Sequence, residues 1–109
     1  MIQNVTKGTI VAKETKFAES FSDNFLGLLN KKNPRSMIFK TRFGIHTFFM
    51  KEPIDVLILD KNNKVVKVKE NLASWKIYFW NPEFETIIEL PKFSIQQSRT
   101  RIGDLLNFD

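Results

Sequence analysis

From Ile54 to Leu59 the chain is apolar at every position except Asp55. A run that is apolar on both alternating faces predicts a strand covered from each side, with a carboxylate that must find partners. Asp60-Lys61-Asn62-Asn63-Lys64 follows and is rich in residues that tolerate left-handed backbone angles, with Asn62-Asn63 as the expected central pair of a tight turn. In the returning run Val66 and Val68 are read as facing the core while Lys67 and Lys69 face solvent, so the pair is a hairpin. Upstream, alternation from Ile45 to Met50 puts His46, Phe48 and Met50 on one face and Ile45, Thr47 and Phe49 on the other. Pro53, with no amide donor, marks a bend or strand edge between the two runs.

The flanks carry weaker patterns. Ile10, Val11, Ala12 and Phe17, set among Lys and Thr, suit a half-exposed strand between Gly8 and Phe17. Ser20 with Asp23 three residues later resembles a capping box, and Phe21, Phe25, Leu28 and Leu29 form a helical stripe that ends near Asn30, before Pro34. Met37-Ile38-Phe39 and Glu85–Leu90 read as strands, the latter with Thr86, Ile88 and Leu90 on one face and Ile87 and Glu89 on the other. Trp75–Trp80 is an aromatic cluster that fits either a strand or an irregular wrap, and Ser94–Thr100 fits one helical turn. Gly103-Asp104 turns the chain into a last strand, Leu105–Phe108. The sum is a mainly β fold: an antiparallel sandwich or partly open barrel of about seven strands, with one short helix at about residues 20–30.

At 109 residues this is read as a single domain over residues 1–109, large enough to bury a core without a covalent staple. The absence of cysteine excludes disulfides and thiolate metal sites, and a single histidine leaves no basis for a His-rich one, so no metal and no cofactor are expected. MIQNVTKG lacks the apolar run of a signal peptide and no stretch is long and apolar enough to span a membrane, which points to a cytoplasmic protein. The net charge of +5 is spread over three basic segments, Lys31–Arg42, Lys61–Lys69 and Arg99 with Arg101, a distribution that ordinary solvated lysines on loops and strand faces also produce.

From about Ala18 to Phe108 the chain resembles a widespread prokaryotic family, domain of unknown function 192. The likeness rests on Gly27-Leu28-Leu29, Ser36-Met37-Ile38-Phe39, Phe49-Met50-Lys51, Pro53-Ile54-Asp55, Glu89-Leu90 and Gly103-Asp104, taken in order. Gly44-Ile45-His46-Thr47-Phe48-Phe49-Met50 and a spacing about two residues shorter before Pro53 look like archaeal members. Where the family tends to carry a glycine shortly after Glu-Leu-Pro, this chain has Lys92-Phe93, so the residue that most readily takes a left-handed backbone is missing there. The resemblance implies a β-rich domain with a short helix and brings no established activity, cofactor or catalytic residue.

Chemistry therefore has to be weighed from the residues. His46, Asp55 and Glu89 are the candidate acid–base set, since imidazole beside carboxylates is a common arrangement for proton transfer near neutral pH, but their spacing does not require them to meet. The alternatives are a core histidine satisfied by neighbours and a carboxylate that accepts backbone amides. No Gly-x-Ser-x-Gly elbow, phosphate-cradling glycine loop or His-Glu-x-x-His helix is present. Lys51, Trp75, Tyr78 and Trp80 are the candidate binding residues. The favoured reading is a non-catalytic binding or interaction module for a small molecule or protein partner, with a cleft expected beside the Pro53 bend. Binding of single-stranded RNA or another polyanion through Trp75, Tyr78, Phe79 and Trp80 with Lys67, Lys69 and Lys76 is a second reading, and an enzyme centred on His46 and Asp55 a third.

Overall fold

The computed structural model describes residues 1–17, 36–42, 44–47 and 52–108. Among these, ten strands and one helix occur in the order β1 (Ile2–Asn4), β2 (Thr9–Ala12), β3 (Thr15–Phe17), β4 (Ser36–Lys40), β5 (Ile45–His46), β6 (Ile54–Leu59), β7 (Val65–Leu72), β8 (Ile77–Tyr78), β9 (Thr86–Pro91), α1 (Ser94–Ser98) and β10 (Leu106–Phe108). The expected mainly β fold with a short helix is observed. The described helix is the turn anticipated at Ser94–Thr100, whereas the helix expected at about residues 20–30 lies outside the described residues.

A five-stranded sheet, in the order β3-β4-β9-β6-β7, forms the middle layer. Strand β6, flanked by β9 and β7, is buried at every position, as its apolar run requires. One face holds Met37, Phe39, Val56, Ile58 and Ile87 and packs under Ile45 and Trp80, so the two-stranded ribbon β5-β8 and the chain after it form the cover. The opposite face holds Ile38, Leu57, Leu59, Ile88 and Leu90 and packs against Ile2, Val11, Ile95 and Leu106 of the three-stranded sheet β10-β1-β2 and α1. A bridge between Lys64 and Leu105 links the edge of β7 to the chain entering β10, and no closed barrel forms among the described strands. One pairing departs from the antiparallel expectation: β3 runs parallel to β4, with Thr15 opposite Ser36. Such long-range pairing has no local sequence signature.

The β6–β7 hairpin is present, with two refinements. Asn63 N–H donates to the Asp60 carbonyl at 3.0 Å and Asn63 itself has φ 64°, so Lys61-Asn62 is the central pair and Asn63 supplies the left-handed residue that follows. Asp60 Oδ1 accepts the amides of Asn62 and Lys64, which fixes the turn. The register then shifts between Ile58 and Leu59, so that Val66 packs on the ribbon-side core and Val68 on the helix-side core. The expectation that both valines face one way fails because a bulge inserts one residue.

Candidate functional site

Of the polar residues that sequence reasoning singled out, Asp55 and Glu89 lie on neighbouring strands but face opposite ways. Asp55 pairs with Leu90 and Val56 with Glu89, and Leu90 and Val56 belong to opposite cores, so the two carboxylates face opposite sides of the sheet. His46 lies opposite Ile77 on β5-β8, on the face away from buried Ile45. Glu89 is buried beside the ribbon-side core. The three residues do not converge on one point, and Lys51 lies outside the described residues.

Asp55 has a local explanation. A second bulge in β7 gives Asn71 a φ of 56°, and its freed amide donates to Asp55 Oδ1 at 2.9 Å. Asp55 Oδ2 accepts the Ile95 amide at 2.9 Å, one of the donors that a helix start leaves without an intrahelical partner. The residue preceding α1, Phe93, makes no side-chain cap. Asp55 thus caps α1 from the neighbouring sheet and joins strand, bulge and helix.

A second carboxylate, Asp104, organises a larger buried cluster. Its Oδ2 accepts Asn4 Nδ2 at 2.9 Å and Arg101 N–H at 3.0 Å, and Lys7 Nζ lies 2.8 Å away. Asn4 Nδ2 also donates to Thr100 Oγ1 at 3.0 Å, and Thr100 shares a hydrogen bond of 2.7 Å with Ser98. Burial alone pushes the Asp104 carboxyl up, but the hydrogen bonds from Asn4, Lys7 and Arg101 and the charge of Lys7 outweigh it and hold the group below the usual carboxylate value. Buried Asp, Ser and Thr beside a half-buried Lys have the vocabulary of an active site. Here they tie β1, the end of α1 and the Gly103 turn together.

Thr47 plays the same part on the ribbon side. Fully buried, it donates from Oγ1 to the Ala73 carbonyl at 2.6 Å and accepts the Lys76 amide at 2.9 Å, while its own amide donates to the Lys76 carbonyl. That lacing holds the loop in which Trp75 has φ 62° and stands 58% exposed. Ile77 and Phe79 are exposed too, so alternate residues form an outward apolar strip. Gly44 lies under it at φ 99°, where a Cβ would stand 2.7 Å from the Tyr78 carbonyl oxygen and 2.8 Å from the Phe79 ring. Of the candidate aromatics, Trp75 is exposed and Tyr78 half-buried, with Lys67 Nζ 5.1 Å from its ring centre. Burial pushes the Tyr78 hydroxyl above its ordinary value. Trp80 is buried, and its indole N–H donates to the Phe84 carbonyl at 2.8 Å.

That last bond bears on a site that sequence reasoning missed. At the Leu59 end of β6, opposite to Pro53, a cleft of about 740 Å³ opens between the central and three-stranded sheets. Its inner wall is Ile38, Phe39 and Leu59, and Phe17, Phe84 and Phe108 form its lips, Phe17 and Phe108 meeting edge to face with ring centres 6.5 Å apart. The 81–85 loop that presents Phe84 is held by Trp80, by the Asn81 carbonyl and side chain, and by Arg42, which donates to the Pro82 carbonyl and pairs with Glu85 at 3.2 Å. On the rim, Asp60 is spent on its turn and Arg42 on Glu85. Among the described residues Lys40 and Lys61 have no acid within ion-pair distance, and of the rim carboxylates only Glu85 is paired with a cation. No signal in the sequence joins these stretches, since strand ends meet there through long-range pairing. Among the described residues no group of three or more His, Cys, Asp or Glu is placed to hold a metal ion, and no helix is long and apolar enough to cross a membrane.

The fold and its end cleft define a small β-rich domain with a three-layer core. The domain-of-unknown-function 192 profile, described as Uncharacterized ACR, matches residues 2–108, and the chain belongs to this family. It is 35% identical over 112 residues to a UPF0127 protein of Pyrococcus furiosus, covering 97% of this chain and 96% of that one. It is 36% identical over 114 residues to a UPF0127 protein of Pyrococcus horikoshii, covering 99% and 98%. In fold it is similar to a crystal structure of a protein of unknown function from Novosphingobium aromaticivorans, with TM-score 0.69 and 12% identity over 86% of this chain and 74% of that one. A proposed transcription regulator from Sinorhizobium meliloti shares the fold equally, with TM-score 0.69 and 16% identity over 85% and 79%.

Proposed function

We propose that the protein is a ligand-binding domain that takes up a small, largely apolar molecule in the end cleft and performs no chemistry on it. The observation that carries this reading is the cleft itself: about 740 Å³, aromatic at its lips, apolar within, and bordered by unengaged lysines. That volume suits a drug-sized molecule, and such pockets are typically apolar with a few polar groups that set orientation. The lining offers Thr86 as its one hydroxyl side chain and no histidine beside it, so a nucleophile and base are not paired there. Lys40 and Lys61 favour a ligand with an anionic end. Calorimetric titration with 1-naphthylacetate tests the reading, with a dissociation constant at or below about 1 mM expected for a fragment of that size. Phe17→Ala and Phe108→Ala should weaken binding while Trp75→Ala leaves it unchanged; no heat of binding, or equal loss in Trp75→Ala, counts against the cleft.

A second reading draws on Trp75 and Phe79, whose exposed rings suit stacking with unpaired bases beside Lys76. Binding of a single-stranded oligonucleotide that weakens steeply with salt and is lost in Trp75→Ala would favour it over the cleft. In either reading the protein works in the cytoplasm, a setting that suits a chain without cysteine, and cell fractionation checks this.

A further inference from the structure

A second cleft, of about 540 Å³, lies between the last half of β7 and the end of α1, away from the cleft that carries the proposed function. Val68 and Ile95 form its base, Ile102 its apolar rim, and Arg99 and Arg101 its polar side. Both arginines line this cleft, and Thr100 between them is buried. Their backbone is pinned at each residue: Arg99 N–H donates to the Gln96 carbonyl, Thr100 N–H to the Ile95 carbonyl, and Arg101 N–H to Asp104 Oδ2. Arg99 is held at φ 58°, a conformation usually left to glycine at a helix end. Among the described residues neither guanidinium has an acid within ion-pair distance. Glu70 lines the same cleft and is the one carboxylate there.

We propose that this cleft binds a small organic phosphate, with the phosphoryl oxygens held by the guanidiniums of Arg99 and Arg101 and the apolar part resting on Val68, Ile95 and Ile102. Guanidinium matches phosphoryl geometry through paired N–H donors, so recognition here needs no glycine loop. The fixed Arg-Thr-Arg backbone lowers the ordering cost of holding both side chains on one anion. Glu70 repels the ligand and favours a monoanion over a polyphosphate.

Phenyl phosphate is the probe, titrated into the full chain at low salt with phenol and inorganic phosphate as controls. Binding of phenyl phosphate stronger than either control is expected, weakening about tenfold in Arg99→Gln and in Arg101→Gln, each of which removes charge-assisted hydrogen bonds. Glu70→Gln should tighten it, and Lys13→Gln, an exposed lysine that lines neither cleft, should leave it unchanged. Both arginine side chains are exposed, so loss of fold is not the expected cause of weaker binding, and an unchanged circular dichroism spectrum checks this. Absence of binding at about 10 mM probe, or binding indifferent to both arginine variants, overturns the proposal. Binding of a single-stranded oligonucleotide but not of phenyl phosphate overturns it as well, because the site then reads a nucleic-acid backbone. Failure here with 1-naphthylacetate still bound in the end cleft leaves the proposed function intact, and the reverse result separates the two in the other direction.

Discussion

The Asp104 cluster and the end cleft sit on the same side of the central sheet and have opposite characters. Around Asp104 a carboxylate, an ammonium, an amide and two hydroxyls meet within hydrogen-bond distance, and each is engaged by another. The cleft has an apolar inner wall and a polar rim, and Lys40 and Lys61 on that rim have no acid within ion-pair distance among the described residues. A dense set of polar side chains can be wholly occupied in holding a fold, whereas space and unengaged charge mark where a ligand fits. Asp55 belongs with Asp104 in this respect, since both of its oxygens accept backbone amides.

The sharpest way to break that comparison is to remove Asp104. Asp104→Ala strands the buried Asn4 amide and the Arg101 amide and leaves Lys7 without its carboxylate, at an expected cost of about 3 kcal/mol in urea unfolding. Binding in the end cleft should survive wherever the protein stays folded. The pH dependence carries the same information. The folded carboxyl is held below its unfolded value, so the unfolded chain binds more protons in that window and stability rises with pH. The contribution of Asp104 is full above the unfolded pKa, about 4, and is lost as pH falls through the folded one, so Asp104→Asn should flatten the acid limb of the stability curve.

Asp55→Asn is expected to cost about 2 kcal/mol, because the amide replaces a buried carboxylate that accepts two backbone N–H groups. Hydrogen exchange should locate the loss at Asn71 and Ile95. A smaller effect of opposite sign is expected at Phe93, which keeps a left-handed backbone, φ 73°, a conformation that glycine takes most readily. Phe93→Gly should stabilise by about 0.5 kcal/mol in thermal unfolding, the relief of strain exceeding the extra chain entropy of glycine. The smallest stability change is expected for Phe17→Ala, about 0.5 kcal/mol or less in magnitude, since that ring is exposed and its contact with Phe108 lies at the cleft mouth. Its effect on ligand binding should be far larger than its effect on the fold.

Local periodicity made the centre of the fold legible. The apolar run of β6, the Asp60–Lys64 turn and the alternation that buries Ile45 and Thr47 are all present in the structure. What the sequence could not show depends on pairs far apart in the chain. Asn4 and Asp104 meet across 100 positions, and Gly103-Asp104 alone reads as a turn. The bulges that separate Val66 from Val68 and aim the Asn71 amide at Asp55 are one-residue register shifts with no residue signature in β7. The cleft draws Phe17, Leu59, Phe84 and Phe108 from four separate stretches, each of which looks like ordinary core or surface by itself. At Phe93 the missing glycine suggested a different backbone, yet the Asp55–Ile95 bond and the start of α1 hold the left-handed geometry.

The most direct measurement is an amide NMR titration of the full chain with 1-naphthylacetate. Saturable shifts concentrated at Lys40, Leu59, Asp60, Phe84 and Thr86, with Asn4, Arg101 and Asp104 unmoved, are the predicted result. Shifts centred on the Asp104 cluster, or none at saturating probe, would contradict the account.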